Sequence, residues 1–590
     1  MDKRFFLALL LTAIVIIVPP LFFNTGERRP AAVADSTSRP AVRPDSVATA
    51  TPSAAPSAGP AASTQTTPSA AAPAAAAPGQ ATADVPAAPV ETTTVRTRLS
   101  RYAFSSRGAA PISVVLDSYP SRRPTSADPK VIRGNYQEAS ELLPQRGALV
   151  RYRLALGRDT IALDTVSLSP ELKQSASGPA VSYSGTVAGR PMTLEYAVVP
   201  DSFLLRVTAN VAGAPAGSAL FICLPRTLRS NEPDTLEDIG HLAVSYRLSS
   251  GDIESVGFSK LDSAEVRAEA RPTQWVATRN KYFLVAYRVP PKSPFSAVQI
   301  QGGRRTEKVA NDINAGALLP LGSDGRATFD IYAGPQDFER LQKLGSDLDQ
   351  VNPYGGFMRG LVQPFAVIVM RALLWIKHTT QLNYGWVLVL FGIIVRLALW
   401  PLNQGAMRTS LKMQRLQPEL QALQKRHSDD PRKQQEAIMK VYKDHGMSPL
   451  SPLMGCLPML LPMPILFALY FVFQNTIEFR GVPFLWLPDI SLKDPYYVTP
   501  LLMGISMFVM TWIGSRNVPP NPQAKMMMYM MPVMLTVLFL NFASGLNLYY
   551  AVQNVAAIPQ QWLLARERSK EPPPATAVRT APAPAQKRRT

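Results

Sequence analysis

The stretch NYGWVLVLFGIIVRLALWPL, Asn383 to Leu402, decides how the rest of the chain is read. It has the length of a helix that crosses a bilayer, and its single formal charge is Arg396. A buried arginine in a span costs between about 3 and more than 10 kcal/mol, depending on how far its head can snorkel. Four further apolar segments follow, and none contains an Asp or Glu to neutralise it. Arg396 lies roughly 9 Å from the end of its helix at 1.5 Å per residue, a distance a guanidinium can mostly snorkel. Two readings stay open: a snorkelling charge, or a charge in a wet cavity that waits for a partner from another molecule.

Working outward, the 590 residues combine a polar half with an oily half and carry a formal net charge of +19. That pattern predicts a membrane protein with a large extramembrane domain. Its two cysteines, Cys223 and Cys456, are far apart, which argues against a disulfide scaffold or a thiolate metal site. Upstream, Phe5–Phe23 follows Lys3 and Arg4 and is long enough to span. Ala32-Val33-Ala34 resembles a signal cleavage site but lies too far beyond the apolar run, so residues 1–23 are expected to be an uncleaved signal anchor. Residues 24–94 are rich in Ala, Pro, Ser and Thr and cannot bury enough apolar surface to offset ordering entropy, so a disordered tether is expected.

From Val95 to Gly345, short alternating runs recur between Gly, Pro, Asp and Ser punctuation. Ala148–Ala155, Met192–Val199, Phe203–Ala209, Tyr282–Val289 and Ala327–Ala333 are the clearest. Period-two alternation of branched and aromatic residues predicts antiparallel strands and, over this length, a large β-sandwich. No metal-spaced cluster, phosphate loop or nucleophile triad stands out there; His241 reads as a surface or structural residue, and Asp234, Glu237 and Asp238 as solvated loop residues. Residues 346–382 are apolar but carry Arg359, Arg371 and Lys377, which favours an amphipathic helix lying at the membrane interface.

Beyond the opening span, residues 403–447 hold nine Lys/Arg against five acids, which places them inside by charge bias. Leu411, Leu416, Leu420 and Leu423 share one helical face; Ser428-Asp429-Asp430-Pro431 breaks it; Ile438, Val441 and Tyr442 share the next. This predicts a helical hairpin. Further spans are expected at about 456–473, 498–513, 526–541 and 546–564, followed by a basic tail, 566–590. The loop Asn475–Asp494 has two bases and three acids and fits the outside, as does the β-domain. Six spans with both termini inside result. Asn547, Gln553 and Asn554 are candidates to line a wet cavity with Arg396, and the methionines clustered from Met526 to Met534 offer an adaptable apolar surface.

The quoted stretch, together with MQRLQPELQALQKRH (Met413–His427), GCLPMLLPMPILFALY (Gly455–Tyr470), DPYYVTPLLMG (Asp494–Gly504), FASGLNLYYAVQN (Phe542–Asn554), QWVATRNKYFLVAY (Gln274–Tyr287) and YAGPQ (Tyr332–Gln336), resembles the bacterial YidC membrane-protein insertase family, in its Gram-negative form. The resemblance implies an inner-membrane insertase and chaperone with no cofactor, no metal and no turnover chemistry. Its partners would be nascent membrane proteins, the Sec translocon, the ribosome and lipids, with no DNA. It implies a hydrophilic groove containing Arg396, which meets acidic residues of a client's translocated tail, with Asn547, Gln553 and Asn554 as this chain's polar candidates. It implies a greasy slide for the client's apolar segment at Pro458, Met459, Met463, Phe467, Met531, Met534 and Phe539. A cytoplasmic hairpin bearing Met413, Leu416, Pro418 and Leu420, and a periplasmic β-supersandwich, complete the expectation. Pro462 stands where the family commonly has Gln, and Asn547, at an often apolar position, is the expected replacement. The alternatives are a transporter, which calls for an inverted repeat or intramembrane acids, or a membrane-anchored periplasmic binding protein. Neither an inverted repeat nor intramembrane acids are seen in the sequence.

Overall fold

The structure is a computed structural model that describes residues 90–123, 138–401 (apart from 176–177, 263–264, 304, 307–308, 311, 353 and 355–358), parts of 404–427, and 430–445, 463–515 and 522–570. The expected signal anchor, most of the tether and the basic tail's end lie outside the described residues, as do Pro458, Met459, Met413 and Pro418.

The alternating runs become strands where expected, all in antiparallel pairs. A nine-stranded sheet runs Ile253–Gly257, Ala243–Leu248, Thr273–Arg279, Phe283–Arg288, Arg326–Pro335, Leu204–Val211, Arg190–Val198, Gly178–Val187 and Ser169–Ser175. A six-stranded sheet runs Val266–Glu269, Ala297–Gly302, Ile313–Pro320, Ala219–Cys223, Arg151–Leu156 and Asp159–Ala162. Their inner faces meet in one aromatic-rich core, where the Tyr152 and Tyr196 hydroxyls bond at 2.7 Å and the Tyr152 ring lies 6.4 Å from Phe329. A four-stranded sheet begins at Thr92, so the β-domain starts three residues inside the expected tether.

One sequence expectation in this domain is corrected. Asp238 is buried rather than solvated: it accepts from Lys281 N at 3.0 Å and Asn280 Nδ2 at 3.1 Å, closing the strand end on helix α1 (Thr235–Gly240). His241 is pushed down to about 3 by burial, with Lys281 and Arg279 adding to the effect, so it is neutral.

Helix α2 (Phe338–Leu344) leads to α3 (Arg359–Thr380) and α4 (Tyr384–Ala398). The later helices are α5 (Pro431–Asp444), α6 (Met463–Asn475), α7 (Val498–Ser515), α8 (Pro522–Phe539) and α9 (Ser544–Lys570). Among the described residues two helices, α3 and α7, are long and apolar enough to cross a membrane, while α4 and the apolar parts of α6 and α8 are shorter. Segment 346–382, expected at the interface, thus contains a helix that passes the length test. One face of α3 buries Val362, Ala366, Val369 and Met370; Leu361, Ile368 and Trp375 are exposed. Glycines set two helix contacts: a Cβ at Gly392 in α4 would meet Val552 of α9 at 3.1 Å, and one at Gly504 in α7 would collide with Thr536 of α8. In the basic segment Leu416 and Leu420 pack with Val441 and Tyr442, and Asp430 caps α5 through Arg432 N at 3.1 Å and Lys433 N at 3.2 Å.

The loop between α6 and α7, expected as a short loop on the outside, joins the β-domain to the helices. Arg480 pairs with Glu232 at 2.7 Å, both almost fully buried, and lies over the rings of Tyr282 and Phe283. Arg122 of the β-domain pairs with the buried Asp489 in the opposite sense. The same loop holds the start of α9 through Ser544 N to Leu492 O at 2.7 Å and Gly545 N to Ile490 O at 2.9 Å.

Glu478 makes this junction sensitive to pH. One carboxyl oxygen accepts from Phe338 N at 3.1 Å, and the other is buried without a partner. Burial, reinforced by Asp337 and Glu339, pushes it up from 4.5 to about 8. A raised folded value means that the folded state holds the proton more tightly. The stability it contributes is fully present below about 4.5 and is lost as pH rises through about 8. Thermal melting of the full chain in detergent is expected to fall over that window, and Glu478→Gln to flatten the fall. An unchanged slope in the variant contradicts this assignment.

Candidate functional site: an arginine seam between membrane helices

Arg396 sits on the last turn of α4, half-buried, facing α9. Helix α9 carries Gln553 and Gln560 seven residues apart, two turns along one face. They meet Gly392, Arg396 and Trp400, spaced four apart along α4 and the turn beyond it. Gln553 Nε2 donates to Gly392 O at 2.8 Å and to the Tyr549 hydroxyl at 3.1 Å. Arg396 Nη2 donates to Gln560 Oε1 at 2.7 Å, and Gln560 Nε2 donates to Trp400 O at 3.3 Å. Arg396 Nε is buried without a partner, and among the described residues no Asp or Glu pairs with this guanidinium.

Of the expected groove residues, the structure brings Arg396 and Gln553 together on this seam. Asn554 turns to the other side of α9, where its amide donates to Met503 O at 3.3 Å and Ser506 Oγ at 3.2 Å of α7. Asn547 is fully buried near the start of α9; it donates to Phe539 O at 3.1 Å, and its Oδ1 has no partner. Gln560, 2% exposed, was missed by sequence reasoning. It follows Pro559 in a run that turns polar, where Gln reads as a residue leaving the membrane; the heptad spacing from Gln553 was the available signal.

The expected slide divides in the same way. Phe467 and Phe539 are buried, Phe539 against Phe542 and Tyr550 with centroids 4.8 and 5.4 Å apart. Met531 and Met534 are half-buried on α8, beside exposed Met530, Val533 and Val537. The Met463 backbone opens α6, and its side chain lies outside the described residues. Helix α6 packs mainly on α3, and α8 on α7. No group of three or more His, Cys, Asp or Glu suited to a metal occurs among the described residues.

A β-domain of antiparallel sheets, keyed by buried ion pairs to apolar helices that share an arginine–glutamine seam, defines a membrane-anchored helical protein with a large extramembrane domain. Residues 375–571 match the family described as 60Kd inner membrane protein, and residues 92–368 match the YidC periplasmic domain. The membrane protein insertase YidC of Azotobacter vinelandii is 30% identical over 81% of this chain and 84% of its own length. That of Chlorobaculum tepidum is 29% identical over 84% of this chain and 85% of its own. A crystal structure titled as active YidC insertase aligns over 80% of this chain and 94% of its own at 18% identity, with a TM-score of 0.31, too loose to carry detail. The chain belongs to the YidC family of inner-membrane proteins.

Proposed function

We propose that this protein is a membrane-protein insertase and chaperone: it takes nascent membrane proteins from the cytoplasmic side and passes them laterally into the inner membrane. The observation that carries the reading is Arg396, a half-buried guanidinium with an unpartnered Nε, bonded to a neutral amide with no acid beside it among the described residues. A lone intramembrane cation is costly unless an anion arrives to meet it, and the acidic side chains of a client's translocated tail supply one. Arg396 and Gln553 line the entry, with Gln560 beside them; Asn554 and the Asn547 carbonyl mark the path toward its outer end. The client's apolar segment leaves between α6 and α8, past Met531 and Met534, with Phe467 and Phe539 bracing the two helices. Pro458, Met459 and Met463 extend that slide.

In this reading the chain crosses the membrane six times: residues 1–23 and five spans at about 383–402, 456–473, 498–513, 526–541 and 546–564. Both termini and the 403–447 hairpin, with Met413, Leu416, Pro418 and Leu420, are cytoplasmic; the β-supersandwich is periplasmic, and α3 rides at the interface. The basic tail suits contact with ribosomal RNA, short spans suit thinned lipid, and work alone or with the Sec translocon needs no turnover chemistry. The test is reconstitution. Purified full-length chain in liposomes is expected to protect the tail of a single-span client from external protease well above empty liposomes of the same lipid. Protection equal to the empty liposomes would refute the proposal.

A further inference from the structure

A side-chain amide has an acceptor end and a donor end, and Gln560 uses both on one neighbour. Its Oε1 accepts a hydrogen bond from Arg396 Nη2 at 2.7 Å, and its Nε2 donates one to Trp400 O at 3.3 Å. Turning the amide over would set its NH2 group against the guanidinium and its oxygen against a carbonyl, so the arrangement fixes which end faces Arg396. On the guanidinium, Nη2 and Nε form one edge, a fork that holds a carboxylate by two parallel N–H···O bonds. Here that edge holds one neutral oxygen, and Nε is buried and unpartnered.

We propose that Gln560 is a neutral placeholder in a carboxylate seat on Arg396. The arriving acid of a client displaces Oε1 from Nη2 and also satisfies Nε. A charged acceptor makes a bond roughly twice as strong as a neutral one, so an Asp or Glu gains by the exchange, whereas an Asn or Gln replaces like with like. Gln560 thereby sets the threshold by which the site separates acidic tails from neutral ones. A resident carboxylate at 560 would fill the seat permanently, and an aliphatic residue would leave it without a competitor. The inference rests on the reading that Arg396 meets client acids.

The experiment uses full-length chain in liposomes and one single-span client in two forms, with Asp or with Asn in its translocated tail. In Gln560→Glu, insertion of the Asp form is expected to fall about tenfold while the Asn form stays within about twofold. In Gln560→Leu, the ratio of Asp to Asn insertion is expected to equal or exceed the wild-type ratio. Equal loss of both forms in Gln560→Glu, or a ratio that falls in Gln560→Leu, marks Gln560 as a helix-packing residue and overturns the proposal. Arg396→Gln, measured alongside, separates the two readings. If it leaves the ratio unchanged, the Arg396 reading itself fails. If it abolishes the preference while Gln560→Glu does not, only the placeholder fails.

Discussion

Arg396→Glu is expected to reduce insertion of a client with an acidic translocated tail by more than about tenfold, leaving a neutral-tailed client within about twofold. The substitution removes a charge-assisted contact worth about 1.5–3 kcal/mol and installs a like charge beside the arriving acid. Arg396→Lys is expected to fall between the two, because an ammonium keeps the charge but lacks the planar fork. Protease protection of the two clients, side by side in one liposome preparation, reads both numbers. Equal loss of both clients would mean that the residue supports the α4–α9 contact and not recognition; equal retention would remove it from the pathway.

Glu232→Ala is expected to lower the stability of the domain–core junction by about 3–5 kcal/mol, which lowers the melting temperature by roughly 10 °C. The reason is what remains: Arg480, almost fully buried, keeps Asn231 O at 3.3 Å and two aromatic faces but loses its only described carboxylate. Truncating Arg267, whose pair with Glu265 is exposed, is expected to cost less than about 1 kcal/mol. Replacing Glu232 and Arg480 together by Leu and Met is expected to recover most of the loss, since the cost lies in the stranded charge. Scanning fluorimetry of the three variants and the wild type in one detergent decides it. A Glu232→Ala melt within error of wild type would mean that the β-domain is held on the core by other contacts.

The strands were legible because a half-buried strand writes its burial into every second residue. Met192–Val199 and Phe203–Ala209 fall on the strands Arg190–Val198 and Leu204–Val211, which pair in register with Leu205 opposite Val198 and Val211 opposite Met192. The turn into α5 was equally legible, because a capping Asp before a proline is a local signal that Asp430 fulfils. What escaped the sequence was long-range pairing between polar residues that look ordinary where they stand. Glu232 and Arg480 lie 248 positions apart, and each reads as a loop charge. The charge count of Asn475–Asp494 fits the outside but carries no sign of burial, and Asp489 and Asp494 are buried, the latter accepting from Thr499 N at 2.7 Å at the start of α7. Gln560 and Arg396 lie 164 positions apart on helices whose facing sides only the packing fixes. The same holds for Asn554, one residue from Gln553 and turned to a different helix.

The most direct test is a photo-crosslinking residue placed at Gln553, on the seam, and in a second variant at Val555, exposed on the same helix at nearly the same depth. With a stalled nascent client whose tail is acidic, adducts to that tail are expected from position 553 and not from position 555. Adducts from 555 alone, or equal adducts from both, would contradict entry along the Arg396 seam.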